Sequence, residues 1–590
     1  MSTQVSDRPV VGNDATASPT VPMLDKQFPS LWMHVGLLAI ALFVVFAVVQ
    51  PHQPSISDEG AALAQVDALN SGRGWLMPHP FPALTTVGAA FPIDLSLRRT
   101  GTDDYAPLAK HPLYAMLLAG PYRVAGVPAT IAVSVLGTLA AAVAAALIAR
   151  RIDGRADRVA LWLTGAATPL FYDGYLLIAH SLAAAMLGFA VLLLVSRHRR
   201  GRSIAVLGGL LCVLAAQLLR NEAVLLGGAL SVALVFAGVR FVLLRRDIWI
   251  GIAVSCTTVF GYRLDALWQG HVVGGAAQTF SIARHGSFMV ERWRGVVNAF
   301  LRLPDVAPVP RLLLMATFAS SVAAALCARR TARHPYVGRF AVGAALCATT
   351  AFVLAPPTLV PAMVLTAPVM FAGLLLVDRS LWAEPAAVVV GVTAAIFTLA
   401  VVATQYSDAG SAWGGRYFAV GLVLVTPLAA VGLARAHASL PVERRRSALV
   451  GAIGVSVALA AMAASSLLAD HRFAAATQQA VAATTAGALP GDGDPRPVVI
   501  AGDRAFGRLL WPLVRDQRWV TDEGDLTPVA SGMRNAGIQM LTVITPRPQQ
   551  AIDQLAPWYV ATNGVTRVSI DVPFGRRVTL DVGVVTFTAR

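Results

Sequence analysis

The sequence predicts an all-α polytopic membrane bundle of about 13 transmembrane helices, followed by a small C-terminal α/β domain. Composition is the first indication: of the 590 residues, 56% are apolar and only 13% are charged, whereas soluble domains carry about 25% charge. The second indication is a series of apolar runs, each roughly 18 to 22 residues long and able to cross the hydrocarbon core of a bilayer. Such runs have to be helical, because a spanning segment must satisfy its own backbone hydrogen bonds.

The expected spans are spread over most of the chain. Residues 112–127 are also apolar, but they are short and interrupted by Pro121, so we expect an interfacial or re-entrant segment there. The spans themselves are expected at residues 31–49, 129–149, 158–176, 179–196, 203–219, 222–244, 247–264, 311–328, 338–356, 358–377, 385–404, 415–434 and 447–468.

Arginine-rich connections follow every second span and are the third indication. Because cytoplasmic loops are enriched in Arg and Lys, this alternation places the N-terminus in the cytoplasm and the C-terminal domain on the extracytoplasmic side. The formal charge of +15 comes mostly from these connections, so it does not indicate a nucleic-acid partner. The basic connections are residues 150–158, 197–202, 245–246, 329–333, 378–379 and 444–446.

The chain is expected to divide into three parts. Residues 1–30 are polar and predict a disordered cytoplasmic tail, residues 31–468 form the transmembrane domain with a large first outer loop at 50–128, and residues 469–590 form the extracytoplasmic domain. In this last part strand patterns alternate with helix patterns, which is typical of a small α/β domain. Strands are expected at 497–502, 518–521, 538–545, 565–572 and 577–588, and helices at 503–511, 526–536 and 548–556.

Two adjacent carboxylates, Asp58 and Glu59, lie in the first outer loop shortly after the first span. At that position they are suited to act as a general base or to hold a divalent cation. The alternative is that they begin a helix, where acidic residues favour the helix dipole.

Two other polar groups lie in connections predicted to face outward. Lys110 and His111 precede the apolar segment at 112–127 and are either functional or anchors at headgroup depth. Tyr172 and Asp173 end the third span and His180 begins the fourth, so they form either a functional turn or ordinary turn chemistry.

Charged residues also interrupt the later spans. Arg220 and Glu222 separate two apolar helices at membrane depth, where they need to pair with each other or to face a polar cavity. Trp413, Arg416 and Tyr417 surround paired glycines that would let the backbone approach a ligand closely. An arginine at a helix start is unfavourable unless an anion such as phosphate compensates it.

Taken together, these motifs resemble the GT-C superfamily of integral-membrane glycosyltransferases, which use lipid-phosphate-linked sugars. The resemblance covers roughly residues 30–435 and is greatest to the protein mannosyltransferase and aminoarabinose transferase relatives and to mycobacterial-type arabinofuranosyltransferases and cell-wall mannosyltransferases. One departure is that Gly60 and two alanines follow the carboxylates, where some subfamilies have an aromatic continuation. The motifs are Asp58-Glu59, Lys110-His-Pro-Leu-Tyr114, Thr168-Pro-Leu-Phe-Tyr172, Leu219-Arg-Asn-Glu222 and Gly414-Gly-Arg416-Tyr417.

The resemblance implies a hexosyl or pentosyl transfer from a polyprenyl-phosphate sugar to a cell-envelope glycan, glycolipid or protein acceptor at the extracytoplasmic face. It implies an inverting displacement in which a carboxylate, preferably Asp58, is the base. Some members employ a divalent cation, but no cluster in this sequence requires one. The residues it suggests for the lipid phosphate are Lys110, His111, Arg220 and Arg416, and the remaining substrate-binding candidates are Tyr172, Asp173, His180, Glu222, Trp413 and Tyr417.

Two other classes of function remain open. A transporter or flippase of a lipid-linked envelope intermediate would place polar residues near mid-membrane in broken helices and would often show internal repeats. In this sequence the polar residues cluster at the outer ends of the spans and no repeat is detected, which favours an enzyme. A non-catalytic envelope scaffold is the third alternative.

Overall fold

The computed structural model describes most of the chain from residue 28 onward. The expected disordered tail lies outside the described residues, apart from the beginning of the first helix. The described residues are 28–55, 57–81, 84, 93, 96–108, 110–195, 202–241, 245–275, 287–303, 307–330, 335–355, 361–404, 415–485, 498–501, 510–514, 519–522, 525–545, 547–562, 565–572 and 576–590.

Helices make up most of the described residues up to residue 485. Two short 3₁₀ turns, Arg379–Ala383 and Arg416–Gly421, and a π turn, Val297–Leu301, interrupt them. The helices are α1 Phe28–Val49, α2 Ser57–Asn70, α3 Pro112–Ile152, α4 Asp157–Ala166, α5 Pro169–Asp173, α6 His180–Leu194, α7 Arg202–Leu219, α8 Glu222–Arg240, α9 Arg245–Val273, α10 Phe288–Val296, α11 Pro308–Arg330, α12 Val337–Leu354, α13 Met363–Thr366, α14 Pro368–Leu375, α15 Pro385–Thr404, α16 Leu422–Ser439 and α17 Val442–Thr485.

The described helices confirm a polytopic membrane bundle. Nine of them are long and apolar enough to cross a membrane, and α6 and α7 are shorter apolar helices. The short pairs α4–α5 and α13–α14 occupy the two remaining predicted positions. Each predicted span therefore corresponds to a helix or to a broken pair of helices.

The predictions of unbroken helices at 158–176 and 358–377 were wrong. In the first, Thr168 is extended (φ −133°, ψ 167°) and Pro169 begins a new helix. In the second, Ala367 leaves the helical region and Pro368 begins α14. Proline disfavours a helical conformation in the residue before it, so both breaks have the same cause.

The segment predicted to be interfacial or re-entrant is helical and runs directly into the following span as part of α3. Its break lies at Ala125 and Gly126, which have non-helical backbone angles, and Gly126 has a φ of 65°. Pro121 lies within the helix. The kink is therefore at a glycine that tolerates positive φ.

The last helix of the bundle is longer than the span predicted for it. Helix α17 has 44 residues and continues to Thr485, well past the predicted end at residue 468. The predicted start of the C-terminal domain at residue 469 lies within this helix. The extension brings Asp470 and His471 to the same end of the bundle as the predicted site residues, as described below.

The C-terminal part is an α/β unit, as predicted. Its sheet has the order β5-β4-β6-β9-β7, with β8 paired to β9. β4 is parallel to β5 and β6, while β9 is antiparallel to β6, β7 and β8. The strands are β4 Val498–Ala501, β5 Trp519–Asp522, β6 Met540–Thr545, β7 Tyr559–Ala561, β8 Thr566–Val572 and β9 Arg576–Ala589, and the helices are α18 Trp511–Val514, α19 Thr527–Asn535 and α20 Pro548–Leu555.

This sheet packs on two sides, because successive side chains of a strand point to opposite faces. Val498, Ile544 and Val584 belong to the hydrophobic core shared with the bundle. Their neighbours Val499 and Val543 belong to a second core formed with α19 and α20. The sheet is therefore a layer between the bundle and its own helices.

The first outer loop connects the bundle to the C-terminal unit. It contains three short strands, β1 Met77–Pro78, β2 Leu97–Arg98 and β3 Asp104–Ala106. They form a small antiparallel sheet with β3 in the middle. Phe81 and Leu84 of this loop are buried in the second core, beside α19 and α20. The indole N–H of Trp511 donates to Asp67 of α2 at 2.7 Å. The C-terminal unit therefore packs directly against the helix that carries the first candidate carboxylates.

Candidate active site

Asp58 and Arg416, which lie far apart in the sequence, form an ion pair. The guanidinium of Arg416 donates to the Asp58 carboxylate, and their side chains are 18% and 26% exposed. Asp58 lies in the first turn of α2, and Arg416 begins a 3₁₀ turn after Gly415, which has a φ of 79°. A Cβ at Gly415 would lie 3.1 Å from the Ala299 carbonyl oxygen, so glycine is needed both for the backbone angle and for the space.

Arg220 and Glu222 form a second ion pair in the turn between α7 and α8. The guanidinium donates to the two carboxylate oxygens at 3.0 and 2.7 Å, and the side chains are only 10% and 4% exposed. Such a two-pronged arrangement satisfies both charges where they are removed from water. The sequence left open whether these residues pair with each other or face a polar cavity, and the structure shows the pair.

Lys110 joins these pairs into one charged cluster. It precedes α3, and its ammonium lies within electrostatic reach of Arg220, Asp58, Arg416 and Glu222. Burial, reinforced by the neighbouring Arg220, lowers the pKa of Lys110 to about 8. We call Asp58, Lys110, Arg220, Glu222 and Arg416 the charged cluster.

His111 lies beside the charged cluster and is buried. Burial, together with the charges of Arg220 and Lys110, holds its pKa well below the usual range of histidine. Its ring nitrogen Nδ1 has no hydrogen-bond partner among the described residues. A neutral imidazole at this position offers a hydrogen bond rather than a positive charge.

Glu59 is adjacent to Asp58 but has a different environment. It is fully buried, and its carboxylate accepts hydrogen bonds from the backbone N–H of Leu177 at 2.5 Å and from the backbone and hydroxyl of Ser55 at 2.5 and 3.0 Å. These contacts connect the start of α2 to the turn before α6. The carboxylate is therefore suited to holding backbone segments together.

The residues between α5 and α6 form a second polar group. Asp173 and His180 are buried, with 3.3 Å between Asp173 Oδ2 and His180 Nδ1, although the geometry is not that of a hydrogen bond. The Tyr172 hydroxyl donates to Asp470 of α17 at 2.7 Å. Arg220 and Arg416 act electrostatically on both Asp173 and His180, so this group lies close to the charged cluster.

The structure thus gathers most of the predicted residues at one end of the bundle. Tyr417 is partly buried next to Arg416 and lies within electrostatic reach of Asp58 and Glu222. Trp413 lies outside the described residues. Among the described residues, no group of three or more His, Cys, Asp or Glu side chains has the arrangement of a metal site.

Four residues of this region were not predicted. Asp470 meets Tyr172, and His471 binds the carbonyl oxygens of Gln53 and Tyr175 at 3.1 and 3.2 Å. An Asp-His-Arg sequence at the end of the last apolar run was a signal that could have found the first two. Gln65 and Asp265, which hold the backbone around Lys110, carry no local signal.

Comparisons with known proteins gave matches only among solved structures. No protein-family model and no curated protein matches the chain. ArnT from Cupriavidus metallidurans bound to undecaprenyl phosphate is 16% identical, with a TM-score of 0.47 over 94% of this chain and 97% of that chain. The oligosaccharyltransferase from Archaeoglobus fulgidus in its apo form is 11% identical, with a TM-score of 0.46 over 88% of this chain and 70% of that chain.

Both are membrane glycosyltransferases of the GT-C superfamily.

Proposed function

We propose that this protein is an inverting membrane glycosyltransferase. It transfers a hexosyl or pentosyl group from a polyprenyl-phosphate donor to a cell-envelope glycan, glycolipid or protein acceptor. In this proposal the charged cluster faces the extracytoplasmic side, as the basic connections predict.

The observation that carries the proposal is the convergence of Asp58, Lys110, Arg220 and Arg416 at one end of the bundle. These residues come from separate stretches of sequence, and their charges act on one another. One partly exposed carboxylate among three cations suits a reaction that needs a base and releases a phosphate. An ordinary helix end would not gather so many charges with so little exposure.

In the proposed reaction Asp58 takes the proton of an acceptor hydroxyl while the hydroxyl oxygen attacks the anomeric carbon of the sugar. The bond between that carbon and the phosphate oxygen breaks, and the phosphate leaves with the electron pair. The transition state has oxocarbenium character, as in other glycosyl transfers. Lys110, Arg220 and Arg416 stabilise the charge that develops on the leaving phosphate.

Arg416 has two roles in this scheme. Its guanidinium binds Asp58, and a carboxylate held by a guanidinium is a weak proton acceptor. A donor phosphate competes for the same guanidinium, so donor binding frees Asp58 to act as the base. Base activation is thereby coupled to the presence of donor.

Glu59 and His111 support the reaction in other ways. The hydrogen bonds of Glu59 to Leu177 and Ser55 fit a residue that fixes the first turn of α2, so we assign the base role to Asp58. His111, being neutral, is suited to bind a substrate oxygen by a hydrogen bond rather than to balance the charge of the phosphate.

The test is a transfer assay with purified protein in nanodiscs, using synthetic polyprenyl-phosphate hexoses and pentoses. Asp58→Asn should lower the transfer rate by about 100-fold to 10,000-fold, the usual contribution of a positioned base. The matched control is Asp67→Asn, the same change on the same helix, because an asparagine there can still accept from Trp511. The anomeric configuration of the product should be inverted relative to the donor.

Full activity of Asp58→Asn would exclude Asp58 from the mechanism. Retention of the donor configuration would contradict a single displacement.

A transporter or flippase is the second candidate, and the broken pairs α4–α5 and α13–α14 favour it, because interrupted helices are common at transport sites. The two functions differ in their products. Movement of intact donor across a proteoliposome membrane, without any new glycosidic bond, would establish transport instead of transfer.

A further inference from the structure

The turn that carries Lys110 is strained. Leu108 has a φ of 47°, and His111 has a φ of 58° and a ψ of 53°, in the left-handed region. Neither residue is a glycine, and side chains rarely adopt this region unless the surroundings hold them there. Lys110 is therefore presented by a backbone that its own sequence does not favour.

Helix α2 fixes this strained turn through a side-chain amide. The side chain of Gln65 is buried, and its amide nitrogen donates to the carbonyl oxygens of Leu108 at 3.3 Å and of Lys110 at 3.0 Å. These two carbonyls lie between the two strained residues, so fixing them fixes the direction in which the Lys110 side chain leaves the backbone. Gln65 lies seven residues after Asp58, on the same face of the helix.

Helix α9 lies on another side of the strained turn. The carboxylate of Asp265 lies close to the backbone N–H of His111 and within electrostatic reach of the Lys110 ammonium. Its Oδ1 atom is buried and has no hydrogen-bond partner among the described residues. The strained turn thus lies between Gln65 of α2, which donates to its carbonyl oxygens, and Asp265 of α9.

We propose that Gln65 and Asp265 are positioning residues that hold the strained turn so that the Lys110 ammonium faces the donor phosphate. This role rests on the proposed function. It makes α2 a common support for the base and for a phosphate-binding cation, since Asp58 and Gln65 belong to the same helix. A shift of α2 would then displace both groups together.

The experiment is a double-mutant cycle that measures the binding of undecaprenyl phosphate to full-length protein in nanodiscs. The variants are Gln65→Met, Lys110→Ala and the combination of the two. Gln65→Met keeps the size of the side chain but cannot donate to either carbonyl, and it should weaken binding by about tenfold. If Gln65 acts through Lys110, the combined variant should bind no more weakly than Lys110→Ala alone.

The matched control is Asn70→Ala. Asn70 is on the same helix and also donates from a side-chain amide to a backbone carbonyl, that of Ala119 at 3.5 Å, but it does not contact the turn. Binding should be unchanged in this variant. If Gln65→Met does not fold, Asp265→Ala replaces it in the same cycle, and its loss should likewise disappear in the Lys110→Ala background.

The outcomes separate the two proposals. Losses that multiply in the combined variant would show that Gln65 acts independently of Lys110 and would overturn the positioning role alone. Absence of undecaprenyl phosphate binding by the wild-type protein would overturn the proposed function, and this inference with it.

Discussion

Charged residues gather at both ends of the bundle, but in different ways. At the end of α3 and α16 opposite the charged cluster, Arg435 binds Asp153 at 3.0 Å and Asp378 at 3.4 Å. Arg435, Asp153 and Asp378 are 32%, 19% and 54% exposed, whereas Arg220 and Glu222 of the charged cluster are only 10% and 4% exposed. We call Arg435, Asp153 and Asp378 the opposite cluster.

The two clusters differ in the desolvation free energy that folding requires for their charges. Exposed ion pairs stabilise little and cost little, because water screens them in both the folded and the unfolded state. Buried pairs carry a large desolvation cost, which their mutual attraction only partly offsets. The opposite cluster therefore fits a connection between helix ends, while the charged cluster fits a site kept for a ligand.

The backbone shows the same contrast. Around the charged cluster, His111 and Gly415 have positive φ values. The chain is also extended at Thr168, immediately before Pro169 begins α5. Near the opposite cluster, Asp378 caps a regular 3₁₀ turn by accepting from the backbone N–H of Leu381. Irregular backbone at membrane depth is tolerated where it is packed in protein or lines a polar space.

The largest effect is expected from separating the buried pair. Arg220→Met leaves Glu222 buried without its guanidinium and should lower the free energy of unfolding by about 3 to 5 kcal/mol. Arg220→Met combined with Glu222→Leu should recover most of this stability, because the unpaired charge is gone. Thermal denaturation in detergent micelles measures both values.

The combined variant also separates stability from function. It should remain unable to bind undecaprenyl phosphate with wild-type affinity, since a cation of the charged cluster is missing. A combined variant as active as the wild type would mean that the buried pair only closes the turn between α7 and α8.

A smaller effect is expected from pH. The pKa of Lys110 is lowered to about 8, so its positive charge is lost as the pH rises through that value. The ammonium attracts phosphate, and about nine-tenths of it is protonated at pH 7 but only about one-tenth at pH 9. Binding of undecaprenyl phosphate should therefore weaken by several-fold between these values. Since a phosphate monoester is already mostly ionised at pH 7, the change is attributable to the protein.

Lys110→Arg provides the control for this pH dependence. A guanidinium stays charged throughout the range, so the variant should bind with little change between pH 7 and 9. An unchanged pH profile in that variant would assign the titration to another group.

The sequence was sufficient to predict the spans and most strands of the C-terminal unit, but not the breaks in the helices, the long-range contacts, α10 or β7. Apolar runs located the spans, and strand patterns located β4, β5, β6, β8 and β9 within a few residues. Each of these features depends on local periodicity, which one sequence contains. The break at Thr168 was missed because the apolar run continues through Pro169.

The site could be predicted only in part, for the same reason. Asp58 and Arg416 were each singled out, but their contact joins residues 358 positions apart. The sequence also does not distinguish Asp58 from Glu59, since their different environments come from Arg416 and from the turn at Leu177. Nothing in the local sequence distinguishes Gln65 from other helical glutamines, because its contact with Lys110 forms only in the folded chain.

The smallest effect is expected at the opposite cluster. Arg435→Met removes the guanidinium that Asp153 and Asp378 share, but these carboxylates retain access to water, and Asp378 also accepts from Ser380 at 2.6 Å. The free energy of unfolding should fall by about 1 kcal/mol or less, and transfer activity should be unchanged. The same denaturation and transfer measurements check both values. A loss as large as that of Arg220→Met would mean that burial does not distinguish the two clusters, and the charged cluster would then no longer stand out as a site kept for a ligand.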